Sequence, residues 1–155
     1  MRMPPMAEQQ ATESQFQIHK LYIKDVSFQI PNPKDIFKAE WAPELNVEVQ
    51  NSTKALAEEN THESVLTVKC SVKSGGKEAF TCEVQQAGIF SITGLEEAQL
   101  KHTLGAYAPS VLYPYLREVV TDLVMKGGFP QLSLAPINFE LLYQQEQEQK
   151  SKAEA

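Results

Sequence analysis

The chain has 155 residues, of which 42% are hydrophobic and 22% charged, a composition typical of one globular domain with its own core. The formal net charge is -6, and because an acidic chain repels phosphate groups, binding to nucleic acid is disfavoured. The apolar runs are too short to span a bilayer, so we expect no direct insertion into a membrane.

Residues 1–15 are polar and rich in Gln and Glu, and no apolar segment follows Arg2. This is not the pattern of a secretory signal, so we predict a short disordered arm. With no such signal and only two cysteines, Cys70 and Cys82, we expect a cytoplasmic location in which both thiols stay reduced. A single domain is predicted over residues 16–143.

The first half of the chain has the pattern of β-strands. Between Phe16 and Ile30 the apolar residues alternate with a period of two, but the alternation changes phase twice. This predicts a long strand that contains a bulge or changes its buried face. Residues 44–50 alternate cleanly between acidic or polar and apolar side chains, which indicates a half-buried strand with an acidic outer face.

A β-hairpin is predicted around Gly75 and Gly76. The apolar alternations of residues 66–72 and 80–84 fall on one face only if the loop contains an odd number of residues. We therefore predict a three-residue loop with Gly76 in the left-handed conformation.

The second half of the chain is predicted to be helical. One helix covers residues 95–108, a second is capped by Ser110 and ends at the glycine pair 127–128, and a third is capped by Asn138. Residues 144–155 are too polar to pack and are predicted to be a disordered tail. Strands followed by helices, without βαβ alternation, indicate an α+β domain with a four-stranded antiparallel sheet and helices packed on one face.

The apolar segment 129–139 is the most informative feature for function. Pro130 and Pro136 exclude a continuous helix, and an apolar loop of this length needs a surface to pack against. Two interpretations stay open at this point. The loop covers the protein's own core, or it borders a groove for the apolar side chains of another protein.

No catalytic or metal-binding motif is found in the sequence. His19, His62 and His102 are far apart, and none has a ligand spacing to another His or Cys. Adjacent carboxylates such as Glu96 and Glu97 do not converge on one site. We therefore expect neither an enzyme nor a cofactor or metal.

Several long segments resemble the bacterial protein-export chaperone SecB. They lie between Phe16 and Tyr143 and comprise LYIKDVSF (21–28), the region of Pro31, Asn32 and Trp41, CEVQQAGIFSITG (82–94), LGAYAPSVLYPYLRE (104–118) and GGFPQLSLAPINFELLY (127–143). The resemblance implies a four-stranded antiparallel sheet backed by helices and a homotetramer built as a dimer of dimers. It also implies a chaperone that keeps unfolded precursor proteins translocation-competent and delivers them to the SecA ATPase without a cofactor.

The resemblance also implies three sets of functional residues. A client groove between the apolar loop, the second helix and the second strand would be lined by Trp41, Tyr113, Phe129, Leu132, Leu134, Phe139 and Leu142. SecA would bind an acidic sheet surface with Asp25 and Glu83 at matching motif positions, joined by Glu44 and Glu48. Gln29 and Thr81 depart from the family pattern, which has an acidic and an apolar residue there.

Subunit assembly is expected to use the edge of the first strand and the polar face of helix 95–108. The residues of that face are Gln99, Lys101, His102 and Thr103. Two rival functions remain. One is a structural or adaptor protein whose apolar loop is buried in its own oligomer, and the other is a small-molecule carrier or enzyme that uses the same pocket.

Overall fold

The chain forms a four-stranded antiparallel sheet with helices against one face, in a computed structural model that describes residues 14–154. This confirms the predicted α+β fold. The elements, in chain order, are β1 (Gln15–Gln29), α1 (Pro33–Lys38), β2 (Pro43–Ala55), β3 (Thr61–Ser74), β4 (Lys77–Thr93), α2 (Glu97–His102), a π-helical turn (Thr103–Tyr107), α3 (Ala108–Lys126) and α4 (Phe139–Glu154). Most of the predicted N-terminal arm, residues 1–13, lies outside the described residues, and Gln15 already belongs to β1.

The sheet order β1-β4-β3-β2 places β3 and β4 in the centre and makes β1 and β2 the two edges. The central strands carry the core because their inner residues, such as Leu66, Val84 and Phe90, are completely covered. Helix α3 supplies the other side of this core through residues spaced four apart, namely Leu112, Leu116, Val120 and Val124.

Strand β1 contains two bulges, at the two points where its sequence alternation changes phase. The register against β4 shifts between Ile18 and Lys20 and again between Ile23 and Asp25. Each shift restores the apolar residues to the helix-side face, because they all lie opposite inward-facing residues of β4. The bulge interpretation is therefore confirmed, and a change of buried face is wrong.

The β3–β4 hairpin reaches the predicted common face by a different route. Its loop contains only Gly75 and Gly76, both left-handed with φ of 60° and 80°, so the predicted three-residue loop is wrong. The odd residue is Ala79 in β4, where the register shifts just before the Val72–Phe80 pair. The bulge at Ala79 thus brings the two apolar alternations onto one face, as a three-residue loop would have done.

The predicted break before α3 does not exist. α2, the π turn and α3 follow one another without a loop, and the Ser110 hydroxyl lies inside α3, where it donates to the Tyr107 carbonyl at 2.6 Å. Pro114 is therefore inside the helix. It is tolerated because Ser110 and Pro114 are both exposed, so the Ser110 carbonyl that loses its donor faces solvent.

Helix α4 begins where it was predicted to begin. The Asn138 side chain accepts a hydrogen bond from the Leu141 N–H at 3.1 Å, which confirms it as the N-terminal cap. The structure differs from the prediction for residues 144–154, which are helical instead of disordered. Residues 144–153 are exposed, so the helix there follows from the high intrinsic propensity of Gln, Glu, Lys and Ala. None of the helices described over residues 14–154 has the length and apolar character required to cross a bilayer.

A polar clamp on the outer face of the sheet holds the bulged part of β1. The Tyr22 hydroxyl donates to Glu63 of β3, and the Lys24 ammonium lies 2.8 Å from the same carboxylate. Burial, and then the hydrogen bond and negative charge of Glu63, raise the pKa of Tyr22 to about 12. The bonds from Lys24 and Tyr22 lower the pKa of Glu63.

We predict that Glu63→Gln lowers the pKa of Tyr22, because it removes the charge but not the burial. The pKa of Tyr22 in the folded protein lies above the value of about 10 of a free tyrosine, so the stability linked to its proton is present below about pH 10 and is lost as pH rises toward 12. Tyrosinate absorbance measured against Tyr22→Phe isolates this residue from Tyr113, whose pKa is also raised by burial. An unchanged Tyr22 titration in Glu63→Gln would contradict the clamp.

Candidate functional site

Residues 129–138, which we call the connector, leave the end of α3 and run back along its flank toward β2. Two side chains of α3 fix this path by donating to connector carbonyls. Tyr113 donates to Ala135 at 2.5 Å, and Thr121 donates to Leu132 at 3.1 Å. The connector is therefore an ordered edge of the helical layer.

An aromatic cluster anchors the start of the connector on the sheet. The ring of Phe129 lies 4.8 Å from that of Phe80, 5.4 Å from that of Trp41 and 5.1 Å from that of Phe37. Phe129 is only 6% exposed, whereas Trp41 is half-buried beside the start of β2. Trp41 therefore forms a wall, and Phe129 lies behind it.

The inner face of β2 is left uncovered by the helices. Leu45 and Val47 lie opposite Val72 and Cys70 of β3, so they point to the helix side, yet they are 44% and 37% exposed. Strands about 4.8 Å apart and a helix about 10 Å wide explain this, because one helix covers only two strands. The result is an apolar trough between β2 on one side and the connector and α4 on the other.

We call this trough the β2 groove, and three cavities follow one another along it. The first, of about 130 Å³, is mostly apolar and lies between Trp41, Leu45 and Leu132. The second, of about 490 Å³, lies between Val47, Ile137 and Leu142. The third, of about 250 Å³, lies between the end of β2, the π turn and α4. Together they make an elongated surface with separate recesses, which is mostly apolar beside Trp41 and is lined by both polar and apolar side chains toward α4.

The seven residues predicted to line a groove divide into two groups. Trp41, Leu132 and Leu142 line the β2 groove and are partly exposed. The other four are buried, namely Tyr113, Phe129, Leu134 and Phe139, although Phe139 also lies in the wall of the third cavity. They are buried because the connector and the start of α4 fold onto α3 and the sheet, so Tyr113, Phe129 and Leu134 lie behind the groove surface in this conformation. The role of the set in binding stays a prediction.

Four groove residues were missed by sequence reasoning. They are Leu45, Val47, Val49 and Ile137. The alternation in β2 identified the first three as inward-facing, but it did not reveal that this edge of the sheet has no helix above it. The number of predicted strands could have revealed this uncovered edge, because a sheet of four strands is wider than one helix.

The cysteines and histidines do not form a reactive centre. Cys70 and Cys82 are directly opposite each other in the core, and burial raises their pKa values to about 12 and about 11, which keeps both thiols protonated. Over the described range 14–154, no cluster of three or more His, Cys, Asp or Glu side chains is arranged to hold a metal ion.

The four predicted SecA-binding carboxylates are not brought together in one cluster. Asp25 and Glu83 lie on adjacent strands, but Glu44 and Glu48 are on β2, about 14 Å across the sheet from β1. Lys69 lies between them, opposite both Glu48 and Glu83. The outer face is therefore of mixed charge, because lysines of β3 separate its acidic residues.

The two departures from the family pattern turn out to be neighbours. Gln29 lies directly opposite Thr81 in the β1–β4 ladder. One end of the outer surface that includes Asp25 and Glu83 thus carries two neutral polar side chains.

The four residues predicted for subunit contact are used mainly within the chain. Gln99 accepts from the Glu96 N–H, Lys101 lies 3.5 Å from Glu97, Thr103 donates to the Gln99 carbonyl, and His102 lies 2.6 Å from Glu140. An apolar surface is instead found on the helix side of β1, where Ile18, Ile23 and Val26 are exposed. We call it the β1 face.

Comparison with known proteins places this fold and groove in context. Residues 9–150 match the family described as preprotein translocase subunit SecB. The fold is similar to that of the Mycobacterium tuberculosis SecB-like chaperone Rv1957, solved in complex with a ChAD peptide from the Rv1956 HigA1 antitoxin. That match has 20% identity and a TM-score of 0.64, and covers 84% of this chain and 94% of that chain.

A second similar structure, a protein of unknown function from Streptococcus agalactiae, has 10% identity and a TM-score of 0.44, over 80% of this chain and 99% of that chain. The family match covers most of the chain, and the sheet and helices agree with those of a SecB-like chaperone. The chain therefore belongs to the SecB family of protein chaperones.

Proposed function

We propose that this chaperone binds unfolded precursor proteins in the β2 groove, keeps them competent for translocation and delivers them to the SecA ATPase. The observation that carries the proposal is the exposed inner face of β2 beside the connector. Apolar side chains in this number are costly to leave in water, so their exposure needs a function.

The shape of the groove suits a polypeptide without a fixed sequence. Its recesses follow the strand one after another, so each accepts one or a few client side chains. Burying about 100 Å² of apolar surface contributes about 2.5 kcal/mol, so a single recess gives only weak binding. Several recesses filled by one chain give useful affinity without a sequence motif.

The free edge of β2 supports the same binding mode. β2 pairs with β3 from Pro43 to Ala55 without a register shift, so its other edge is long and regular. The backbone groups on such an edge can hydrogen-bond to any extended polypeptide, whatever its side chains. The similar M. tuberculosis chaperone is bound to a peptide, which fits a polypeptide ligand.

The β1 face supports the proposed assembly into a homotetramer, arranged as a dimer of dimers. We propose the cytoplasm as its location. Ile18, Ile23 and Val26 are exposed together along one edge of the sheet. Burying them against a second copy removes apolar surface from water and forms a dimer, and two dimers joined by a second contact present several β2 grooves to one client. The polar residues of α2 contribute less in this proposal, because they are already paired within the chain.

Delivery to SecA is assigned to the outer face around Asp25 and Glu83. An acidic pair there attracts a basic segment, although each exposed charge contributes less than about 1 kcal/mol. Lys69, and the neutral Gln29–Thr81 pair, both reduce the negative charge of this surface. We therefore infer a salt-sensitive contact of moderate strength.

The double change Leu45→Ser and Leu132→Ser should weaken client binding by about tenfold to hundredfold, because it removes apolar side chains from two walls of the groove. The measurement is inhibition of the refolding of a slow-folding precursor by stoichiometric chaperone, without nucleotide. Leu142→Ser and Leu141→Ser form a matched pair on α4, since Leu142 lines the groove and Leu141, at 50% exposed, does not.

Only the groove variants should lose activity, and Leu141→Ser should behave as wild type. Unchanged capture by the double variant would contradict the groove and favour a structural or adaptor protein. Selective binding of one class of small molecule, with no effect on denatured chains, would favour a carrier.

Ile23→Lys should dissociate the oligomer, because it places a charge in the centre of an apolar contact. Light scattering coupled to size-exclusion chromatography gives the mass of the particle. Ser27→Lys is the matched control, since it adds the same charge to the outer face of the same strand. A tetramer that persists in Ile23→Lys would show that the β1 face is not the contact.

Asp25→Lys with Glu83→Lys should weaken the binding of SecA by about fivefold or more and leave client capture unchanged. Lys69→Glu should have the opposite effect, because it joins Glu48 and Glu83 into one negative surface. Titration of SecA at low and high salt tests both changes. Loss of client capture in the reversed variant would contradict this division between the two faces.

A further inference from the structure

Helix α4 is attached to the rest of the molecule mainly through its first two turns. Phe139 is buried and Tyr143 half-buried, whereas residues 144–153 are exposed. Within residues 14–154, the element against which α4 packs most closely is the π turn. A helix held at one end, with a polar remainder, is held weakly.

The π turn provides a notch that receives α4. Gly105 lies under the ring of Tyr143, and a Cβ atom at Gly105 would come within 2.5 Å of the ring carbons, closer than any side chain permits. The neighbouring Leu104 carbonyl accepts a hydrogen bond from the Asn51 side chain of β2 at 3.1 Å. Single π-helical turns are frequent at functional sites, and this one connects the end of the β2 groove to α4.

A clasp lies beside this notch. The His102 Nε2 atom is 2.6 and 2.7 Å from the two oxygens of the Glu140 carboxylate. The imidazole ring also packs edge-on against Tyr143, with 5.3 Å between ring centres. Both partners of the clasp are about half exposed, so it holds α4 in place without fixing it permanently.

A short hinge separates this seat from the rigid part of the connector. Tyr113 holds the connector at Ala135, and Asn138 caps the first turn of α4. Residues 136–138 lie between these two fixed points. A change of backbone angles there would move α4 and separate Phe139 from Tyr113, whose rings are 5.5 Å apart, and it would leave the sheet and the rest of the connector in place.

We propose that α4 is a movable wall of the β2 groove, closed by the Gly105 notch and the His102–Glu140 clasp, and that it swings outward about residues 136–138 to admit a client segment. The inference rests on the proposed function of the groove. In this position α4 lines two recesses of the groove, one of about 250 Å³ beside the π turn and one of about 490 Å³ beside Ile137, so its displacement would widen both.

Two changes on opposite sides of the contact test the wall. Gly105→Ala displaces the Tyr143 ring, and Glu140→Gln weakens the clasp. Both should increase hydrogen exchange of the α4 amides, and both should increase the association rate of an unfolded client. We expect about tenfold for Gly105→Ala and about two- to fivefold for Glu140→Gln. Glu148→Gln is the matched control, because it makes the same charge change further along α4, away from His102.

A second variant distinguishes a clash with Tyr143 from a general effect of Gly105→Ala on folding. In the Tyr143→Ala background the clash is absent, so adding Gly105→Ala should change neither exchange nor association further. Exchange in β3 and β4 should stay at the wild-type rate in every variant. An additional effect of Gly105→Ala in the Tyr143→Ala background would show that Gly105→Ala does not act through the Tyr143 ring, which would contradict the notch as the seat of α4.

The outcomes separate this inference from the proposed function. Unchanged exchange of α4 in Gly105→Ala and Glu140→Gln overturns the movable wall, and so does faster exchange with an unchanged association rate. The groove itself is tested independently by the Leu45→Ser and Leu132→Ser change described above. If the Leu45→Ser and Leu132→Ser change abolishes client capture while Gly105→Ala and Glu140→Gln leave the association rate unchanged, the movable wall is contradicted and the groove is not.

Discussion

The rest of the structure depends on a mismatch of width between the sheet and the helix that covers it. The outer strands of a four-stranded sheet are about 14 Å apart, and a helix about 10 Å wide protects only the two central strands. The apolar inner faces of both edge strands therefore remain open, at Ile23 in β1 and Leu45 in β2. On this account the first is covered by a second subunit and the second by a client.

The two edges differ in a way that fits these separate uses. β1 is interrupted by two bulges and held by the Tyr22–Glu63–Lys24 clamp, which fixes the position of its apolar residues. Bulges also make an edge a poor template for further strand pairing. β2 has no bulge, and it borders the connector and α4, which provide a second apolar wall. A regular edge beside an apolar trough suits a ligand whose one constant feature is its backbone.

Much of the fold could be predicted from the sequence because its signals are local. The phase changes in β1 and the Asn138 cap each depend on a few neighbouring residues, and both are confirmed. The hairpin loop was wrong because the bulge at Ala79 corrects the register within β4, and the start of α3 was wrong because the helix runs on from the π turn through Ser110. The resemblance predicted a groove beside the second strand and the connector, but the exposure of each side chain depends on which strands α3 covers. This explains why Phe129 was expected at the surface and Leu45 was missed.

The central claim is that a bound client occupies the β2 groove, and Trp41 reports on it directly because it is the one tryptophan of the chain. The measurement is the quenching of Trp41 fluorescence by a small neutral quencher, with and without an unfolded client that lacks tryptophan. The account predicts that the client shields Trp41 and lowers its quenching, and that Leu45→Ser with Leu132→Ser reduces this protection. Unchanged quenching at a client concentration that saturates the chaperone would contradict it.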